Sequence, residues 1–271
     1  MKETNELYRC RPQLGTYVEV RVQDVCGKSV LIQRTQVAFD RIQELSDTLS
    51  FHRPQSELSM VNQRAHLKPL SISSDLAKVL SLGLKLSKLT QGQYDLTIAP
   101  SLVKRGLLPS LTTQPDETAT WEDIVLEGNQ VFFRKPLWLD LGGIAKGYAV
   151  DCGFELLSDL EAVLVNAGGD LRMNPWKGQE VLVRDPRLKG KGFKPVQMDA
   201  AALATSSGYT QPKESPFVNQ RTGRPIKISD SFSVFAESCM LADALTKVMI
   251  LAPEPERILS TFSATSFIFP S

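Results

Sequence analysis

Histidine is nearly missing from this 271-residue chain, which has only His52 and His66. A metal centre built on several imidazoles is thereby excluded, although a hard cation held by oxygen atoms is not. Cys10, Cys26, Cys152 and Cys239 lie far apart and form no C-x-x-C pair. Neither a zinc site nor a redox dithiol is suggested, and free thiols in a reducing compartment are expected. Charge of one sign is lacking too: 31 Lys and Arg face 30 Asp and Glu, a net charge of +1. Nothing electrostatic argues for nucleic acid or a membrane surface. No apolar run approaches a membrane span, so membrane insertion is not expected. Met1–Leu7 holds no apolar stretch and Cys10 follows no lipobox-like run, which reads as cytoplasmic. There is no internal repeat or low-complexity tract.

What is present is an ordinary globular composition, 42% hydrophobic and 23% charged. The length suits one large domain or two interlocked lobes with ample core. Tyr17–Val22 alternates with period two and predicts a half-buried strand. Gly27-Lys28 reads as a turn between two short strands. Val37, Ile42, Leu45 and Leu49 predict a helix over about 35–49. Ser73 and Ser74 can cap a second helix that ends before Gly92. Residues 108–120 are rich in Pro, Thr and Asp and read as a surface loop.

Trp138, Leu139 and Leu141 predict the end of a buried strand, with a helix over about 144–158 after it. Strands are expected at 162–165, 180–184 and around Phe232–Ala236, and a small-residue turn at Ser206-Ser207-Gly208. A helix over about 239–251 is capped by Ser238. Arg187, Lys189, Lys191 and Lys194 form a basic run that reads either as a solvated loop or as a phosphate contact. This irregular order of strands and helices predicts an α+β fold rather than a doubly wound parallel sheet.

The most informative stretch is Asp140-Leu141-Gly142-Gly143-Ile144-Ala145-Lys146-Gly147-Tyr148-Ala149. A glycine pair at a strand-to-helix junction lets a ligand approach the backbone. Lys146 falls in the first helical turn, where the macrodipole disfavours a cation. A bound anion at that N-terminus would offset the misfit; a tight turn with Lys146 reaching to solvent is the other reading. Two stock phosphate motifs are excluded. Gly142 and Gly143 are adjacent, unlike G-x-G-x-x-G, and a P-loop ending at Gly27-Lys28-Ser29 would need its first glycine at Val22.

This stretch resembles the signature of the ApbE family, the FAD:protein FMN transferases. Other blocks are similar in the same order: Gly15-Thr16-Tyr17; Ser56-Glu57-Leu58-Ser59 with Asn62; Tyr94-Asp95-Leu96-Thr97 with Pro100; Asn166-Ala167-Gly168-Gly169-Asp170; Arg221-Thr222-Gly223; and Ala242-Asp243-Ala244-Leu245. The resemblance implies a single ApbE-like unit over 1–271, two-lobed, with mixed or antiparallel sheets and a flavin cleft between its lobes. It implies FAD as substrate, a divalent cation such as magnesium, and a partner flavoprotein whose threonine receives FMN while AMP leaves. Many members are exported lipoproteins, unlike the cytoplasmic reading here.

The resemblance also implies site residues. His52, Ser56, Glu57, Asn62, Thr97, Asp140, Gly142, Gly143, Lys146, Gly168, Gly169, Ser207 and Gly208 fall on flavin-dinucleotide contact segments. His52 is either a stacking imidazole or a loop histidine, and Ser56, Glu57 and Asn62 also read as a helix cap. Asp243 and the Ala167 carbonyl match metal donors, but the second side-chain donor, a threonine one helical turn on, is replaced by Lys247. Three readings stay open: a surface i,i+4 ion pair worth ~0.3–0.5 kcal/mol, Lys247 in the place of the metal, or ligation by Thr246. At the family's proton-acceptor block, Pro216 and Asn219 stand where a histidine and an acid are expected, and neither accepts a proton near neutral pH. Asp170, Asp140 and Glu57 are the carboxylates that could substitute. A flavin binder without transferase activity and an FAD pyrophosphatase are the alternatives.

Overall fold

The computed structural model describes residues 4–188, 192–208, 215, 217–219 and 223–271. It opens with an antiparallel hairpin, β1 (Asn5–Gln13) and β2 (Thr16–Asp24). β2 follows the predicted alternation, with Val18, Val20 and Val22 fully buried. β1 is a strand that the hydrophobic pattern does not reveal. Its half-buried face carries Arg9 and Arg11, whose guanidinium groups lie 5.3 and 4.8 Å from the centre of the Phe39 ring. Arginine stems and cation–π contact replace the expected apolar residues.

Helix α1 (Lys28–Thr48) starts seven residues before the predicted position, and Gly27 is its N-cap rather than part of a turn between strands. The buried stripe runs through Leu31, Thr35, Phe39, Ile42 and Leu45. Val30, Ile32 and Val37 face outward, so Val37 marks the wrong face and obscures the start. Then follow α2 (Glu57–Arg64), β3 (Leu70–Ser71), α3 (Ser74–Leu89), a 3-10 turn (Leu96–Ile98) and α4 (Ala99–Lys104). The Ser73 hydroxyl caps α3 by accepting the Leu76 N–H at 3.2 Å. After the 108–120 loop come β4 (Ile124–Glu127), β5 (Gln130–Phe133) and α5 (Ala145–Glu155). The rest is β6 (Ala162–Ala167), β7 (Asp170–Asn174), β8 (Glu180–Arg184), β9 (Phe193–Gln197), β10 (Ala202–Ser207), β11 (Ser231–Ala236), α6 (Cys239–Leu251), α7 (Pro255–Thr261) and β12 (Thr265–Phe269). Ser206 and Ser207 thus end a strand instead of forming a turn.

Seven strands form one sheet in the order β1-β2-β6-β7-β10-β11-β12; β3-β5-β4 and β8-β9 form two smaller ones. Every paired strand in these sheets is antiparallel, which settles the α+β expectation on its antiparallel form. Helices α1, α5 and α6 bury one face of the large sheet in a common core.

Two contacts fix α5 against α6. The Asp151 carboxylate accepts the Cys239 and Met240 N–H groups at 2.8 Å each, capping α6 from α5. Gly147 lets the helices touch, since a methyl group there would lie 2.3 Å from the Cys239 carbonyl oxygen. This docking sets the position of Lys247 relative to Lys146.

Candidate functional site: a two-cornered cleft

The first corner precedes α5. Leu137, Trp138, Leu139 and Leu141 are buried as expected, but they form no strand. The Asn62 carboxamide takes the place of a neighbouring strand: it donates to the Leu139 carbonyl at 3.0 Å and accepts the Leu139 N–H at 2.8 Å. Asp140 N–H donates to the Leu96 carbonyl at 2.9 Å. The second corner is the tight turn between β6 and β7. Gly168 and Gly169 have φ of +66° and +107°, the region that favours glycine. The β2–β6 register brings Val18 opposite Ala167, and Thr16 abuts Gly168.

Two lysines meet between these corners. Lys146, in the first turn of α5, is paired with Asp170 of β7. Lys247 is paired with Asp243 one turn back on α6. The latter is no surface pair: the Asp243 side chain is 0% exposed and that of Lys247 15%. Asp243 also accepts the Gly147 N–H at 3.1 Å. A carboxylate of the protein itself therefore sits at the α5 N-terminus and offsets the macrodipole misfit of Lys146. Ala145 and Tyr148 N–H groups are likewise bonded within the chain.

The protonation states follow from this arrangement. Burial alone would lower the Lys146 pKa, but Asp170 and Asp243 outweigh it and hold the ammonium firmly charged. Burial raises the Asp170 carboxyl, and Lys146 only partly opposes it. Asp243 is held below the usual carboxylate range: burial opposes, but Lys247, Lys146 and the Gly147 N–H prevail. Both lysines line the cleft, whereas Asp170 and Asp243 lie behind them. The quartet is neutral in sum but presents its positive side to the cavity.

This donor set does not fit a magnesium ion, which wants about six oxygen ligands in octahedral array. The Asp243 oxygens are engaged by Lys247 and Gly147. Thr246 is fully buried; its hydroxyl bonds the Asp243 carbonyl and the Ser206 hydroxyl, each at 2.7 Å. No group of three or more His, Cys, Asp or Glu suited to a metal occurs among the described residues. Two ammonium groups beside Asp243 would also repel a dication.

The cleft has a volume of about 930 Å³, at the upper end of the ~300–1,000 Å³ usual for small-molecule sites. Both glycine pairs line it, together with His52, Asp140, Lys146, Ser207 and Lys247. His52 is exposed at its edge. Ser56, Glu57, Asn62, Thr97, Ala167 and Gly208 are not part of the lining. Ser56 caps α2 through the Ser59 N–H at 2.9 Å, and Glu57 accepts the Ser73 N–H and hydroxyl at 2.6 and 2.5 Å. The Thr97 hydroxyl donates to Asp95 at 2.8 Å. A methyl group on Gly208 would lie 1.9 Å from the Ile228 carbonyl oxygen, so that glycine serves a close backbone approach.

Some predicted positions fall elsewhere. Pro216, Arg221, Thr222, Lys189 and Lys191 lie outside the described residues. The Gly223 N–H donates to the Asn219 carbonyl at 2.8 Å. Arg187 and Lys194 of the basic run bond Asp185.

Sequence reasoning missed several lining residues. Glu19 follows from the outward face of β2, a signal available in its alternation. Leu182 and Phe193, 69% and 49% exposed on the β8–β9 rim, had no such signal.

The ApbE family model matches residues 14–265. The chain is 28% identical to a Vibrio cholerae serotype O1 protein named FAD:protein FMN transferase, covering 93% of this chain and 84% of that one. A Haemophilus influenzae protein of the same name is 26% identical over 95% and 84%. Among solved structures, the flavin transferase ApbE from Vibrio cholerae superposes with a TM-score of 0.82 at 24% identity, covering 98% and 94%. The apo Pseudomonas stutzeri flavinyl transferase ApbE gives 0.81 at 22%, covering 98% and 91%. These two show that the fold is shared. With its family blocks in order, two glycine corners on one cleft and a family match across nearly its whole length, this chain belongs to the ApbE family.

Proposed function

We propose that this protein is an FAD:protein FMN transferase. FAD lies in the cleft, its diphosphate bridge is split, and the FMN part is esterified to a threonine hydroxyl of an acceptor flavoprotein, releasing AMP. One observation carries this reading: Lys146 and Lys247 face the cavity between two glycine corners, with their carboxylate partners behind them. Splitting a diphosphate concentrates negative charge on both phosphoryl groups, and fixed, partly buried cations stabilise it more than solvent does. The names of the relatives support the same activity.

Neutralisation by Lys146 and Lys247 replaces the divalent cation expected from the resemblance. An ammonium supplies one positive charge instead of two, but two of them converge here. The glycine pairs let the backbone approach the phosphates without Cβ interference. The test is incubation with FAD and a candidate acceptor, with magnesium or with a chelator. Acceptor mass should rise by one FMN less one water as AMP appears in equal amount, and chelation should change little. Bound FAD that yields no AMP would make the chain a flavin carrier, and AMP without labelled acceptor would make it a pyrophosphatase.

A further inference from the structure

We infer that Asp140 is the catalytic base that takes the proton from the attacking hydroxyl. The inference rests on the transferase reading above. Three carboxylates among the described residues line the cleft: Glu19, Asp95 and Asp140. Glu19 accepts the Tyr8 hydroxyl and the Asn166 amide at 2.8 Å each. Asp95 accepts the Thr97 N–H and hydroxyl, also at 2.8 Å each. Both are engaged as structural acceptors. Asp140 accepts the Gly142 N–H of its own turn at 3.2 Å, and neither a lysine nor an arginine is bonded to it among the described residues. The other two carboxylates that could substitute are spent, Asp170 on Lys146 and Glu57 on Ser73.

Position favours Asp140 as well. A methyl group on Gly142 would lie 3.1 Å from Asp140 Oδ2, and one on Gly143 would lie 3.4 Å from the Lys247 chain. The carboxylate and the cation therefore flank one glycine pair, on adjacent residues. Asp140 thus lines the cleft at the corner where Gly143 abuts the Lys247 chain. His52 faces Asp140 from the segment after α1, Tyr94 from the segment after α3, and Lys247 lies across Gly143. Burial raises the Asp140 pKa, opposed by the Gly142 N–H and His52. A raised value brings a carboxylate nearer to the pH at which a general base works best.

In the step itself the threonine Oγ–P bond forms and the P–O bond to AMP breaks. The Oγ proton passes to the Asp140 carboxylate and then to solvent. The charge left on the AMP phosphate faces the two lysines. A positioned base of this kind contributes about 10²–10⁴ in rate.

The experiment compares the full-length wild type, Asp140→Asn, Asp140→Glu and His52→Ala. It measures FMN transfer to a flavoprotein acceptor across pH and, separately, FAD affinity by titration. Asp140→Asn should slow transfer about 100-fold or more, keep FAD affinity within about threefold and flatten the acidic limb of the pH–rate profile. Asp140→Glu should fall between it and the wild type. Transfer by Asp140→Asn at the wild-type rate, or a rate loss matched by lost affinity, overturns the assignment. So does a His52→Ala chain that stops transferring while Asp140→Asn continues, because the imidazole is then the base. A wild type that binds FAD but neither releases AMP nor labels acceptor sinks the transferase reading and this base with it. An active wild type with an unimpaired Asp140→Asn sinks the base alone.

Discussion

The two glycine pairs look alike in sequence and do different physical work. Gly168 and Gly169 are required by backbone conformation, since both have left-handed φ values. Gly168 is also crowded, because a methyl group there would lie 2.5 Å from Thr16 Oγ1. Gly142 and Gly143 have no such φ; Gly142 leaves room for the Asp140 carboxylate, 3.1 Å from where a methyl group would lie, and Gly143 borders the Lys247 chain at ordinary contact distance. Gly168–Gly169 shapes the fold, and Gly142–Gly143 borders the chemistry. The two cations divide similarly. Lys146 is placed by contact between two elements, and Lys247 by the pitch of its own helix.

Four variants can break or sharpen this contrast. Lys146→Ala has the largest expected effect, because it strips the nearly buried Asp170 of its cation. Breaking such a pair costs about 3 kcal/mol or more. The double variant Lys146→Ala, Asp170→Asn should recover most of that stability in urea denaturation while FAD affinity stays lost. Recovery of both would remove Lys146 from the anion site. Gly168→Ala should lose about 2–3 kcal/mol from left-handed strain and the Thr16 contact. A thermal melt indistinguishable from wild type would contradict the conformational account.

Lys247→Thr should also lose stability, because it strips the fully buried Asp243 of a cation, though Lys146 and the Gly147 N–H still face that carboxylate. It should introduce a dependence on magnesium, read as AMP release with and without chelator. An unaltered metal response counts against the ammonium as a substitute for the dication. Gly143→Ala is the mildest change. Stability should move by about 0.5 kcal/mol or less, with no φ strain to add, while FAD affinity drops severalfold as the added methyl group crowds the cleft wall beside Lys247. Equal affinity by titration would show that the clearance at Gly143 has no role.

Much of this was legible from the chain. Helix α6 runs over Cys239–Leu251 as its Ser238 cap and apolar face predict, and β2 and α3 carry similarly plain local signals. Such elements are readable because cap, period and burial agree. β1 escapes because arginines fill its inner face, and the start of α1 escapes because valine and isoleucine sit on its outer one. At the site, the glycine corners and both lysines stand out locally. Their partners do not: Asp243 reaches a backbone N–H 96 residues away, and Asp170 meets Lys146 only through helix and sheet packing. The i,i+4 spacing of Asp243 and Lys247 was visible, but its burial was not, and burial turns a minor surface pair into part of the cleft floor.

The clasp between Asn62 and Leu139 spans 77 residues. The Asp140–Ala149 motif is thus a local string whose working shape is held from afar. A fragment that begins after α2 keeps every letter of that string and loses the clamp that bends it. Assembly of the pocket is therefore bound to long-range closure of the chain, and a half-made polypeptide carries the signature before it has anywhere to seat a nucleotide.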